Sequence, residues 1–286
     1  MKDKKLNPTK DQHTTPKVFL KNFSNDNKFL FKKLKTPYTN DETLQKELIK
    51  QIALSKATVI EGFYTVISAM EPLVVETLFY SREIEQHYPK IYELLVNPNL
   101  FEFDMEIRSR MLMFFLSLHC RTPKQFKLFF DLVPNEFAYE IDNIKEDYKV
   151  AHIDDILTGI IAAHEFKRVK ILKITDTSEF ITSDNPVLII GKEGTLKNIE
   201  YKEQFNKENI IFIPIDPKHC CVFTHCLDKN GIDAHDKKVF YNKIERVNID
   251  CETTQTINYH MLHSAEKYYF GSEKNLKGLF TLYKLI

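Results

Sequence analysis

At 286 residues, with 43% hydrophobic and 28% charged side chains, the chain can bury a large core, and wholesale disorder is excluded. Its 40 basic and 40 acidic residues cancel, so bulk charge does not support wrapping of nucleic acid, which usually shows a basic excess. The longest apolar run, residues 111–118, is too short for a bilayer, and Met1 to Lys5 lack the apolar stretch of a signal peptide, so a cytoplasmic protein without membrane contact is expected.

Residues 1–15 are polar and Lys-rich without periodicity and read as a mobile tail. Phe19, Leu20 and Phe23 form an apolar cluster, followed by a turn at residues 24–27 and a strand at 28–33. Asn25 and Asp26 suit that turn because they tolerate left-handed backbone angles. From 41 to 168 the pattern is mainly helical, beginning with Leu44, Leu48, Ile52 and Leu54 near helical spacing. Pro72 suits the first turn of a helix that carries Val75, Leu78, Phe79 and Ile84 and breaks before Pro89. The next helix spans 105–119, with Ile107, Met111, Phe114, Phe115 and Leu118 on a wide apolar face. Thr122 is placed to cap a helix whose first position is Pro123, and a further helix runs from Ile153 to about Phe166.

The character changes near Val169, where residues 169–174 are rich in β-branched side chains, with Leu172 out of phase. Residues 180–182 and 187–190 read as strands, and residues 210–215 and 220–224 as a hairpin joined at Asp216-Pro217-Lys218. Helix returns between about Asp250 and Tyr268. There is no internal repeat and no Gly/Ser linker. One composite α+β domain over 1–286 is therefore expected, with a helical N-terminal half (41–168) packed on a mainly antiparallel sheet (169–246) and a C-terminal helix (247–270). Five scattered cysteines (Cys120, Cys220, Cys221, Cys226, Cys251) do not suggest a disulfide framework. The absence of Trp beside 22 Phe and 13 Tyr fits an AT-rich bacterial genome.

Four segments stand out together: His13-Thr14-Thr15-Pro16-Lys17-Val18-Phe19-Leu20-Lys21-Asn22-Phe23, Phe63-Tyr64-Thr65, Arg121-Thr122-Pro123, and Phe180-Ile181-Thr182-Ser183-Asp184-Asn185-Pro186. In that order the chain resembles a bacterial domain-of-unknown-function family, four-two-three-eight. The resemblance covers nearly the whole chain and implies a His-x-x-Pro…Leu-x-x-Phe opening, a Phe-x-x-Ser-Asp-Asn-Pro turn, and a C-terminal helix with Asn258 and Ala265 at the matching positions. The chain departs from the family where Gln12-His13-Thr14-Thr15 replaces a His-His pair and where Leu118 stands three residues before Arg121 in place of Gln. The resemblance brings no reaction with it.

The residues were therefore weighed on their own chemistry. Asp184 and Asn185, stiffened by Pro186, could hold a metal or a water at a strand end, although turn capping alone also accounts for them. His13 could act as a base or ligand near neutral pH. Glu76 and Glu83 share a helical face but lie about 10 Å apart along an α-helix, which favours solvated charge over a shared ion. Asp154 or Asp155 with Glu165 and Lys167 mimics a nuclease signature, yet Glu165 and Lys167 fall at a helix end instead of on a strand. His219, Cys220, Cys221, His225 and Cys226 lack the paired knuckle spacing of a zinc site and read as buried strand residues. Arg121, with Arg108 and Arg110 nearby, could bind an anion or form a structural ion pair. With seven glycines and no Walker, G-x-G-x-x-G or G-x-S-x-G loop, the chain carries no sequence signature of a dinucleotide or nucleoside-triphosphate fold.

Two functional readings follow. In the first, the chain is a metal-dependent nuclease or phosphodiesterase-like effector in phage defence. Its catalytic residues are His13, Asp184 and Asn185, its substrate is held by Arg121 and Asn258, and Mg²⁺ or Mn²⁺ sits on Asp184 and Glu76. In the second, it is a non-enzymatic binding or regulatory module whose motif residues lock the fold. Nucleic acid or a nucleotide, a second copy of the chain, or the product of a neighbouring gene are the partners considered. Convergence of His13, Asp184 and Arg121 in one pocket favours the enzyme; their separation onto different surfaces, or an Asp184 that merely caps its own turn, favours the module.

Overall fold

In the computed structural model, which describes residues 11–24, 26–35, 48–66, 69–131, 149–150, 156–197, 201–225 and 242–283, strand β1 (Asp11–His13) comes first. A short helix α1 (Lys17–Leu20) follows, then β2 (Phe29–Leu34), β3 (Ile49–Ala53) and β4 (Val59–Glu61). The first strand corrects the expectation of a tail reaching residue 15. It pairs antiparallel with β4, and Gln12, Thr14 and Thr15 are buried. Hydropathy does not register it because side-chain hydrogen bonds hold it: Gln12 accepts from Tyr64 N–H and donates to Thr65, and the Thr58 hydroxyl donates to the Thr15 carbonyl at 2.8 Å. Residues 1–10 lie outside the described residues.

The expectation of helix from residue 41 is also corrected. Residues 49–53 form β3, which pairs along β2 from Phe29↔Ala53 to Lys33↔Ile49, so sheet pairing overrides the helical spacing of Leu48 and Ile52. Leu44 lies outside the described residues. A π-helix covers Val75–Ile84, and Pro89 enters the first turn of α2 (Tyr88–Val96) instead of breaking a helix. Helix α3 (Met105–Cys120) is capped by Asp104, which accepts from Ile107 N–H at 2.7 Å. Helix α4 (Pro123–Phe130) is capped by Thr122, as the sequence predicts, and α5 covers Leu157–His164. Asp154 and Asp155 lie outside the described residues.

Strands β5 (Arg168–Ile174), β7 (Leu188–Ile190), β8 (Ile210–Pro214), β9 (His219–Thr224) and β10 (Ile244–Ile249) form a sheet of order β10-β5-β9-β8-β7. Only the β5–β10 pairing is parallel. Both faces are covered, which explains the out-of-phase Leu172. Val169, Ile171, Ile213 and Phe223 face a core with Phe19, Phe114 and Phe115, in which Tyr88 stacks on Phe114 with ring centroids 4.0 Å apart. Leu172, Ile174, Cys220 and Val222 face a second core with Ile257, Met261 and Leu262 of helix α6 (Cys251–Ser264). Helix does not continue to residue 270: β11 (Tyr268–Gly271) follows, then α7 (Glu273–Tyr283). A second sheet, β3-β2-β11-β6, uses the short β6 (Thr182–Ser183). The fold is thus α+β, with helices against a mostly antiparallel sheet. Among the described residues, no helix is long and apolar enough to cross a membrane.

Candidate functional site

Where β6 ends, the Asp184 carboxylate meets the corner between α6 and β11. Its two oxygens accept the backbone N–H groups of Glu266, Lys267 and Tyr268 at 2.9, 2.7 and 2.9 Å. Burial pushes this carboxyl above its ordinary value, and the three N–H donors pull against that rise. The Asn185 amide donates to the carbonyl and hydroxyl of Ser264 at 3.1 and 2.9 Å, and the Thr122 hydroxyl lies 3.4 Å from Asn185 Oδ1. Asn258 accepts from Ile181 N–H at 3.0 Å and donates to the Glu179 carbonyl at 2.9 Å. These side chains are buried, and each bonds to backbone.

Arg121 gathers a second polar cluster. Its side chain is 0% exposed; Nη1 lies 2.7 Å from Glu85 Oε1, Nη2 lies 3.7 Å from Glu76 Oε2, and Nη2 donates to the His13 carbonyl at 2.8 Å. The Tyr80 ring covers the guanidinium, 4.0 Å from its centroid, and Tyr64 O–H donates to the Arg121 carbonyl at 2.6 Å. Glu76 and Glu85 are nine residues apart, about 2.5 turns of α-helix, which would put them on opposite sides. The i→i+5 bonding of the π-helix takes more residues per turn, so nine residues make about two turns and both carboxylates reach one guanidinium. Burial, with Glu85 adding to it, pushes the Glu76 carboxyl up to about 7 against the pull of Arg121. Glu76 Oε2 and His13 Nδ1 have no hydrogen-bond partner. Burial also holds the His13 imidazole below its ordinary value.

The structure therefore brings His13, Glu76 and Arg121 together and gives Asp184, Asn185 and Asn258 to the α6 corner. A metal held by Asp184 and Glu76 does not fit this arrangement, because both Asp184 oxygens already accept backbone N–H groups and Glu76 pairs with Arg121. Among the described residues, no three His, Cys, Asp or Glu side chains stand close enough to hold an ion. Gln12, Tyr64, Tyr80 and Glu85 were not singled out by their chemistry. Only the Phe63-Tyr64-Thr65 segment carried a signal. Glu83, at 64% side-chain exposure beside Arg82, is solvated as its spacing suggested. Arg108 donates to the carbonyls of Glu165 and Lys167, and Lys167 Nζ to those of Lys207 and Asn209, which are structural roles. Arg110 pairs with Glu106 at the surface. His219 bonds Asp216, while Cys220 and Cys221 face opposite cores; Cys226 lies outside the described residues.

A cleft of about 510 Å³ lies against these junctions, lined among others by Thr14, Pro123, Asp184, Lys32, Lys267 and Tyr268. Three of the four sequence segments thus contribute to its lining: Thr14 follows His13, Pro123 belongs to Arg121-Thr122-Pro123, and Asp184 is the turn itself. A second cleft of about 510 Å³ borders Asn258, together with Asp176, Glu179 and Lys274.

The fold and this junction define an α+β protein in which ordered polar turns from distant segments line one cleft. The family model described as "Protein of unknown function (DUF4238)" matches residues 11–275, and the chain belongs to that family. Comparison with the curated proteins and with the solved structures found no match.

Proposed function

We propose that the protein acts as a binding or regulatory module whose motif residues hold the fold and shape the cleft. The observation that carries this reading is Asp184, whose carboxylate is spent on three backbone N–H groups of the α6–β11 corner. A carboxylate so engaged has little capacity left for an ion or an attacking water. Asn185 and Asn258 support the same reading, since each uses its amide to tie β6 and its approach to α6.

A second reading, phosphodiester hydrolysis by a nuclease-like defence effector, draws on a different observation. Glu76, its carboxyl pushed up to about 7, stands at the Arg121 cluster, and such a group can hold and pass a proton near neutral pH. Hydrolysis assays separate the two readings. Nucleotides, DNA and RNA would be incubated with wild type and Glu76→Gln in the presence of Mg²⁺ or Mn²⁺. The binding reading expects no turnover above the no-protein control. Metal-dependent turnover that Glu76→Gln abolishes, with thermal stability retained, would overturn it.

A further inference from the structure

The cleft beside the motif junction is lined by both cationic and apolar side chains. Lys32 Nζ stands 4.0 Å and Lys267 Nζ 5.1 Å from the centroid of the Tyr268 ring. The sheet register causes this. Lys32 is opposite Phe270 and Tyr268 opposite Leu34, so Lys32 and Tyr268 are diagonal neighbours on one face of the β2–β11 pair. Cation–π contact fixes the direction of both stems and leaves ammonium N–H donors free. Among the described residues, neither ammonium has a carboxylate within ion-pair distance.

Lys56 adds a third cation. It pairs with Asp11 at 2.6 Å, and since the side chains are 66% and 51% exposed the pair exchanges cheaply for another anion. Behind the corner, Lys35 and Lys124 donate to the carbonyls of Ala265 and Ser264. Two acids oppose this charge: Glu266 at the exposed rim and Asp184, whose charge its three N–H donors already stabilise. The lining also holds the apolar Val59, Ile60 and Pro123, and Ile60 is 38% exposed. A volume of about 510 Å³ falls in the range of small-molecule sites.

We propose that this cleft binds a nucleotide, its phosphates on Lys32 and Lys267 and its base against Ile60 and Pro123. The inference rests on the binding reading and names its ligand class. The phosphate and base come either from a free nucleoside phosphate or from a nucleotide unit of a single strand.

Titration calorimetry on the full chain at low salt tests it, with ATP, adenosine, inorganic pyrophosphate and an oligothymidylate as probes. Nucleotide binding is expected to weaken about tenfold or more in Lys32→Gln/Lys267→Gln, to survive in the double Arg variant, and to fall as salt rises. Adenosine and pyrophosphate should each bind more weakly than ATP, because each makes only part of the contacts. ATP binding identifies the free nucleotide as the source; oligothymidylate binding without ATP binding identifies the strand. No binding by either, equal affinity for pyrophosphate and ATP, or affinity unchanged in the Gln double variant overturns the proposal. Its failure differs from failure of the binding reading, which would appear as metal-dependent turnover lost in Glu76→Gln.

Discussion

Replacing Asp184 by Asn removes one acceptor oxygen and changes little else in shape. In the wild type, Oδ1 accepts Glu266 N–H at 2.9 Å, and Oδ2 accepts Lys267 and Tyr268 N–H at 2.7 and 2.9 Å. The Asn oxygen can serve one side of this arrangement. Its NH₂ then faces a backbone donor, leaving at least one N–H unsatisfied at a cost of about 1–3 kcal/mol. The retained bonds also lose their charge-assisted strength, roughly another 1 kcal/mol. Relief from burying a charge offsets part of this, since burial works against the Asp184 carboxylate. The net loss is about 2–3 kcal/mol, or a melting temperature lower by roughly 3–5 °C in a chain of this size. Urea denaturation with an unchanged slope would measure it. A variant as stable as wild type, or more stable, would refute the reasoning and mark Asp184 as a group held at a cost for chemistry.

Further outcomes follow from other contacts of the fold. Glu76 titrates near 7 in the fold against an ordinary 4.5, so its stabilising contribution is present below about 4.5 and is lost as pH rises through about 7. His164, held down to about 4 from 6.5 by burial, has the opposite sign, and its contribution is lost as pH falls from 6.5 towards 4. Melting curves across that range should show Glu76→Gln removing a decline of about 2–3 kcal/mol on the alkaline side and His164→Gln one of similar size on the acid side. Asn258→Ala leaves Ile181 N–H and the Glu179 carbonyl without their partner and should cost about 2–4 kcal/mol by denaturation. Arg121→Lys gives up the fork between Glu85 and the His13 carbonyl and should cost about 3–5 kcal/mol. Arg110→Ala, at an exposed pair, should stay within about 0.5 kcal/mol in the same measurement.

Much of the architecture was legible where local rules agree with the tertiary result. Thr122 and Pro123 open α4 because cap chemistry is local, and the β8–β9 hairpin follows from two apolar runs around Asp216-Pro217. Strand β1 was hidden because Gln12 and Thr15 are buried by hydrogen bonds and leave no apolar period. The convergence of Glu76 and Glu85 on Arg121 was hidden because α-helical spacing separates them and the π-helix brings them to one side. Lys32 and Tyr268 meet through the β2–β11 register across most of the chain, a juxtaposition with no local trace. The polar turn at Asp184 was legible as a constrained strand end, but its partners at residues 266–268 depend on the tertiary fold.

Amide hydrogen exchange at Glu266, Lys267 and Tyr268, in wild type and Asp184→Asn, tests the central claim that the motif carboxylate is architectural. The account predicts slow exchange of all three amides in the wild type and acceleration confined mainly to this corner in the variant. Fast exchange in the wild type, or rates that Asp184→Asn leaves unchanged, would contradict it.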